Sequence, residues 1–178
     1  MRTFTILFCL TAAFAQAQPA NPQVATAKAF YSYMKGNILK TADLVPEAKY
    51  SFKATEEVRS MGQILAHVAD AQFAFCGIVR DGKPVVKDVE KTATTKADII
   101  KALNDSFALC DADYAAMTDA NSADIVQFRG PVTKLGLISF NTAHGLEHYG
   151  NLVTYMRLNK IVPPSAEAAP APAKPPGK

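Results

Sequence analysis

Residues 132–159, VTKLGLISFNTAHGLEHYGNLVTYMRLN, decide the fold. Leu135, Ile138, Leu152, Tyr155 and Met156 recur at helical spacing, and no proline interrupts the run, so it reads as one long helix. Working outward, three more segments follow the same period. The first covers Val24 to Ala42, with Ala27, Phe30, Tyr31, Met34, Ile38 and Leu39 as its apolar positions, and Pro46 stops it. The second is read from Thr55, an N-cap candidate followed by Glu56 and Glu57, through Met61, Ile64, Leu65, Val68, Phe75 and Ile78. It ends before the turn Asp81-Gly82-Lys83-Pro84. The third runs from Thr95 to Met117 through Ile99, Ile100, Leu103, Phe107 and Tyr114. Extended structure is expected only at Ile125–Phe128. Four long helices and little strand predict an all-α, four-helix bundle.

The 178 residues suit one domain, with 49% apolar and 20% charged residues. The formal charge of +3 falls close to neutral once Arg2 and the tail charges Glu167, Lys174 and Lys178 are set aside. A clustered basic face for nucleic acid is therefore not expected. Arg2, the apolar run Phe4–Phe14 and Ala15-Gln16-Ala17 read as a cleaved signal peptide over residues 1–17, with the mature chain starting at Gln18 and exported to the periplasm or the medium. No later stretch is read as a membrane span. Residues 163–178, PPSAEAAPAPAKPPGK, read as a disordered Pro/Ala-rich tail, which leaves 18–162 as the folded domain.

The chain has only three histidines, and their placement carries the chemistry. His144 and His148, at i and i+4, project from one face of the last helix. His67 lies in the second helix, roughly 18 Å from Thr55, while His148 lies roughly 17 Å from Asn159, at ~1.5 Å per residue. If the two helices are antiparallel neighbours, the three imidazoles meet at one level of the core. Neutral imidazoles are good donors to a divalent ion, and three protein ligands leave a position open to water or substrate. Zinc is the first choice, with nickel or iron as alternatives. Asp70, Asn141 and Asn151, each about a turn from a histidine, are the residues expected to orient the imidazoles. Glu147 is read as a solvated or interhelical charge, with a general base as its functional alternative. Nothing marks a nucleophile elbow or a phosphate-cradling glycine loop.

EEVRSMGQILAHVADAQFAF, Glu56 to Phe75, and HGLEHYGNLVTYMRLNKIVPPS, His144 to Ser165, together resemble the DinB-like (DinB/YfiT) superfamily. In that pattern one metal histidine follows a Val-Arg-Ser-x-Gly helix start, which His67 matches. Two more form HxxxH in the last helix, ahead of a Tyr-x-Arg ending and a Pro-Pro pair, matched by Tyr155, Arg157, Pro163 and Pro164. Tyr149-Gly150-Asn151 departs from the Arg-Gly-Gln often found there. The resemblance implies an up-down-down-up order, a homodimer and a bound zinc or nickel. It also implies relatives that include bacillithiol- or mycothiol-using S-transferases and a thiol-dependent maleylpyruvate isomerase.

After signal removal two cysteines remain, Cys76 and Cys110. Parallel second and third helices, the order the resemblance implies, bring them near bridging range with modest stagger; antiparallel ones keep them apart. Two inert core thiols are the alternative. Two functions are expected from these features. One is a metal-dependent enzyme, a thiol S-transferase or hydrolase-like, acting on a small molecule or thiol at an open metal position. The other is a non-catalytic exported module that binds a metal or small ligand.

Overall fold

The computed structural model describes residues 20–167. The signal peptide read at 1–17 and the tail from 168 onward lie outside them. The described chain is mostly helical. Its elements are α1 (Pro22–Leu44), α2 (Met61–Asp81), a short α3 (Val89–Thr92), α4 (Lys96–Ala116), strands β1 (Ile125–Gln127) and β2 (Pro131–Thr133), and α5 (Lys134–Leu158). The extended piece expected at Ile125–Phe128 is the first arm of a small antiparallel hairpin, with Val126 opposite Val132.

One helix start differs from the sequence reading. α2 begins at Met61, not Thr55, because Ser60 forms a capping box with Gln63. The next free donors are taken as well: Met61 N–H donates to the Phe52 carbonyl and Gly62 N–H to the Tyr50 carbonyl. Residues 50–52 thus run back along the first turn of α2, and with those donors used no helix extends upstream. Gly62 permits this approach, since a Cβ there would lie 3.1–3.2 Å from Tyr50. At the other ends the reading holds closely: Thr95 caps α4 in a box with Asp98, Thr133 caps α5, and Gly82, with φ 73°, closes α2.

Contacts fix the helix directions. Tyr31 of α1 donates to the Phe107 carbonyl and to Asp111 of α4, while Lys96 at the start of α4 reaches the Asp43 and Val45 carbonyls at the end of α1; the two run antiparallel. Tyr155, near the end of α5, donates to the carbonyl of Arg59 just ahead of α2, and Asn141 near its start meets Gln72 further along α2; these too are antiparallel. Met34 sits on Gly145, and Lys40 pairs with Glu167 beyond α5, so α1 and α5 run parallel. Cys76 and Cys110 are joined as a disulfide, with Cα atoms 5.3 Å apart, tying α2 to α4 in parallel. The core between them is built from Tyr31, Met34, Ile38, Leu65, Val68, Leu103, Phe107, Ile138, Leu152 and Met156, all nearly inaccessible.

Two expectations are corrected. Phe30, read as one of the apolar positions of the first helix, is 61% exposed, and Phe140 of α5 is 47% exposed, because each lies on the outer flank of its helix. Pro163 and Pro164, read as the start of the tail, are buried; Pro164–Ala166 form a 3₁₀ turn, and the Ser165 N–H donates to the Tyr149 hydroxyl. And α2 is long and apolar enough to cross a bilayer by composition, yet 78% of that window is buried inside the protein. Its apolar character faces the core.

Two stability experiments follow. The Cys76–Cys110 bond closes a loop of separation 34, for which the chain-entropy model gives about 3–4 kcal/mol. Urea melts equilibrated with and without reductant should differ by about that amount, and coincident midpoints would refute the estimate. Asp113 is buried, with Oδ2 lacking a partner, and burial raises its pKa to about 6 from an ordinary 3.8. The native state therefore holds a proton that the unfolded chain has lost between those values, so the penalty is complete above pH 6 and fades towards pH 4. Asp113→Asn should stabilise by about 1–2 kcal/mol at pH 7.5 and by nothing measurable at pH 4, read from melts at both.

Candidate metal centre

α2 and α5 bring the three histidines together from opposite directions. Measured from the Tyr155–Arg59 contact at ~1.5 Å per residue, His67 lies about 12 Å along α2; His148 and His144 lie about 10.5 and 16.5 Å along α5. His67 therefore falls between the levels of the pair. The level match survives the shift of the helix start because it is set by this contact, not by the cap.

The ring nitrogens converge. His144 Nε2 lies 3.0 Å from His148 Nε2 and 3.3 Å from His67 Nε2, and the three donor atoms all fall within 4.8 Å of one another. A tetrahedral ion with metal–nitrogen bonds of 2.0–2.1 Å separates its ligands by about 3.3 Å. A proton shared between two of these nitrogens leaves the third lone pair aimed at them, whereas one cation satisfies all three. The donor set thus fits a divalent ion held on one side, and no fourth His, Cys, Asp or Glu joins the group among the described residues.

Burial keeps these rings neutral and able to donate. It is the largest cause of the lowered pKa at each: His144 is pushed down to about 4, helped by His148, while His67 and His148 are lowered in the same sense. Packing aims the rings. The Nδ1 atoms of His144 and His148 are buried without hydrogen-bond partners, but Phe75 stands edge-on to His144 at 5.7 Å and Phe140 stacks on it at 6.5 Å. Gly145, between the two histidines, lets Met34 of α1 press close; a Cβ there would meet the Met34 sulfur at 2.6 Å.

His67 is oriented differently. Its Nδ1 lies 3.4 Å from Glu90 Oε2, a carboxylate on α3 that the sequence reading did not single out. Glu90 Oε1 in turn accepts from Arg59 Nε at 2.9 Å. Asp70 does not touch an imidazole. Its two oxygens accept the backbone N–H groups of Val89 and Glu90 at 2.8 and 2.9 Å, clamping the first turn of α3 to α2. Asp70 therefore acts on His67 through α3 and Glu90. Asn141 is engaged with Gln72 beside the disulfide, donating at 2.8 Å, and Asn151 is exposed; neither reaches a histidine. Glu147 is exposed, without a hydrogen bond or ion pair among the described residues; its charge favours protonation of His144 and His148. No spacing rule could have found Glu90, because a loop brings it back to α2.

Comparison with known proteins agrees with this geometry at the level of fold. Residues 32–152 match the family model of the DinB superfamily. A DinB-like protein from Bacillus cereus superposes with a TM-score of 0.67 at 15% identity, over 79% of this chain and 95% of that one. A DinB-like protein from Bacillus subtilis gives 0.62 at 18%, over 76% and 92%. A mycothiol-dependent maleylpyruvate isomerase gives 0.61 at 16%, over 72% of this chain but only 60% of its own length. No curated protein matches the sequence.

The Glu90 bridge makes a specific prediction. Glu90→Gln should weaken zinc binding about 10–100-fold in competition with a chromophoric chelator, with little change in melting temperature. Asp70→Ala should lower both, because it frees α3. Zinc affinity unchanged in Glu90→Gln would remove the carboxylate from this role.

Proposed function

This chain belongs to the DinB superfamily, and from that footing we propose that it is a divalent-metal protein whose ion is held by His67, His144 and His148. The observation that carries the reading is the convergence of the three Nε2 atoms at ligand spacing. A four-helix bundle in up-down-down-up order is part of the proposal, supported by the pairwise directions of α1, α2, α4 and α5. Zinc suits three imidazoles, with nickel or iron as the alternatives. When bound, such an ion lowers the pKa of a coordinated water or thiol and polarises a substrate oxygen.

The chain's own residues set the rest. The imidazoles enter as neutral donors because burial disfavours their charged forms. Glu90 accepts the His67 Nδ1 proton and so fixes which nitrogen faces inward. His67 and His144 are only half-buried, leaving the centre reachable from solvent. Lacking a fourth protein ligand among the described residues, the site has the character of a catalytic rather than a closed structural one. We read the protein as a metal-dependent enzyme, hydrolase-like or a thiol S-transferase, acting on a small molecule. The resemblance in fold to a mycothiol-dependent maleylpyruvate isomerase keeps the thiol version in view. A non-catalytic metal- or ligand-binding module is the second reading, favoured if no turnover accompanies metal loading.

Export to the periplasm or the medium is also proposed. A buried disulfide suits an oxidising compartment, and small cytoplasmic thiols would be scarce there, which favours metal-activated water over thiol transfer. A homodimer is proposed on the family resemblance.

Elemental analysis tests the central claim. Wild-type protein should carry about one divalent ion per chain and His144→Ala far less; equal metal in both would end the metal reading.

A further inference from the structure

Two features flank the histidines and are not needed to hold an ion. The first is Arg59. Its Nε–H donates to Glu90, its carbonyl accepts from Tyr155, and its terminal amino groups make no hydrogen bond among the described residues. The backbone is thus pinned by Tyr155 and the guanidinium by Glu90, one carboxylate away from His67, and its terminal amino groups have no protein partner among the described residues. Its charge is felt by all three imidazoles. A guanidinium held in this way suits bidentate pairing with a carboxylate.

The second feature lies at the other end of the triad. Phe75 and Phe140 flank His144, and Phe128 closes the cluster at 5.2 Å from Phe75 and 5.7 Å from Phe140. Phe128 and Phe140 also line a cavity of about 480 Å³ with Val132, Gly136 and Leu137, whose walls are almost wholly apolar. The hairpin tip sets Phe128 there: Arg129 takes a left-handed φ of 52°, and Phe128 N–H donates to the Gly130 carbonyl. From His148 to Phe140 the helix advances about 12 Å.

We propose that the half-exposed side of the triad takes a small organic anion, its carboxylate paired with Arg59 and its apolar or aromatic end against Phe75, Phe128 and Phe140. The proposal rests on the metal reading, which places the reacting group of such a molecule between these two ends. A divalent ion and Arg59, offset by Glu90 and by the Glu147 charge felt at His144 and His148, leave the site net positive and favour an anion. The aromatic wall excludes a purely polar one.

The probe is 4-phenylbutyrate, titrated by calorimetry into the zinc-loaded full chain, with 4-phenylbutyramide as its uncharged counterpart. Wild type should bind the acid at least tenfold more tightly than the amide, and more weakly as salt rises. Arg59→Gln should lose at least tenfold for the acid and little for the amide; Arg59→Lys should fall between. Phe140→Ala should weaken both several-fold. Metal content and melting temperature are measured on the same samples. A metal-loaded wild type that does not bind the acid, or binds acid and amide alike, overturns the proposal. So does an Arg59→Gln protein, folded and metal-loaded, that binds the acid as wild type does. A wild type without metal overturns the metal reading instead, and elemental analysis separates the two failures.

Discussion

The antiparallel seating of α5 on α2 at one fixed level is the constraint from which the site follows. A slide of one helical turn, about 5.4 Å, would leave at most one of the HxxxH pair level with His67. Two contacts oppose such a slide, and a third holds α5 against α1. Tyr155 is bonded to the Arg59 carbonyl at one end and Asn141 to Gln72 at the other, while Met34 of α1 presses into the notch at Gly145. The disulfide then holds α4 against the same helix that carries His67. Close-packed interiors do not deform smoothly, so these fixed points hold the intervening imidazoles in position as well.

Electrostatics works on top of that frame. Burial removes the charge from imidazoles that would otherwise compete for protons, and it leaves lone pairs converging where nothing in the protein satisfies them all. His67 alone has a carboxylate behind it, and that carboxylate is delivered indirectly. Asp70 on α2 holds the start of α3, and α3 returns Glu90 to the neighbouring turn of α2. One helix thus orients its own histidine through a detour of the chain. Two faces of the triad are consequently different in kind: a charged one at Arg59 and Glu90, an aromatic one at Phe75 and Phe140.

The structural relatives share the fold at 15–18% identity, a level at which the backbone arrangement persists while most side chains have changed. Such likeness places the helices but does not choose a substrate, because chemistry resides in the particular side chains set on a fold. The groups at the two ends of the triad are where this chain's own specificity is to be sought.

Helix existence was legible from residues alone, since Tyr31, Met34 and Ile38, or Leu65 and Val68, repeat with the period that buries one face. The starts of α4 and α5, read at Thr95 and Val132, were legible to within a residue or two, because a side-chain oxygen and a helix's first donors are local in sequence. The start of α2 was not. Thr55 and its two glutamates look like a helix beginning, yet the carbonyls of Tyr50 and Phe52 take the donors of Met61 and Gly62, and that backward run is a tertiary choice. For the same reason the histidines could be named from their spacing, whereas Glu90 could not, and Asp70 was placed near the site but with the wrong partner. The periodicity of apolar residues, a property of each segment by itself, determined the helices and the three imidazoles. The level at which α2 and α5 meet, and the loop that returns Glu90, depended on contacts between distant residues, which only the packed chain decides.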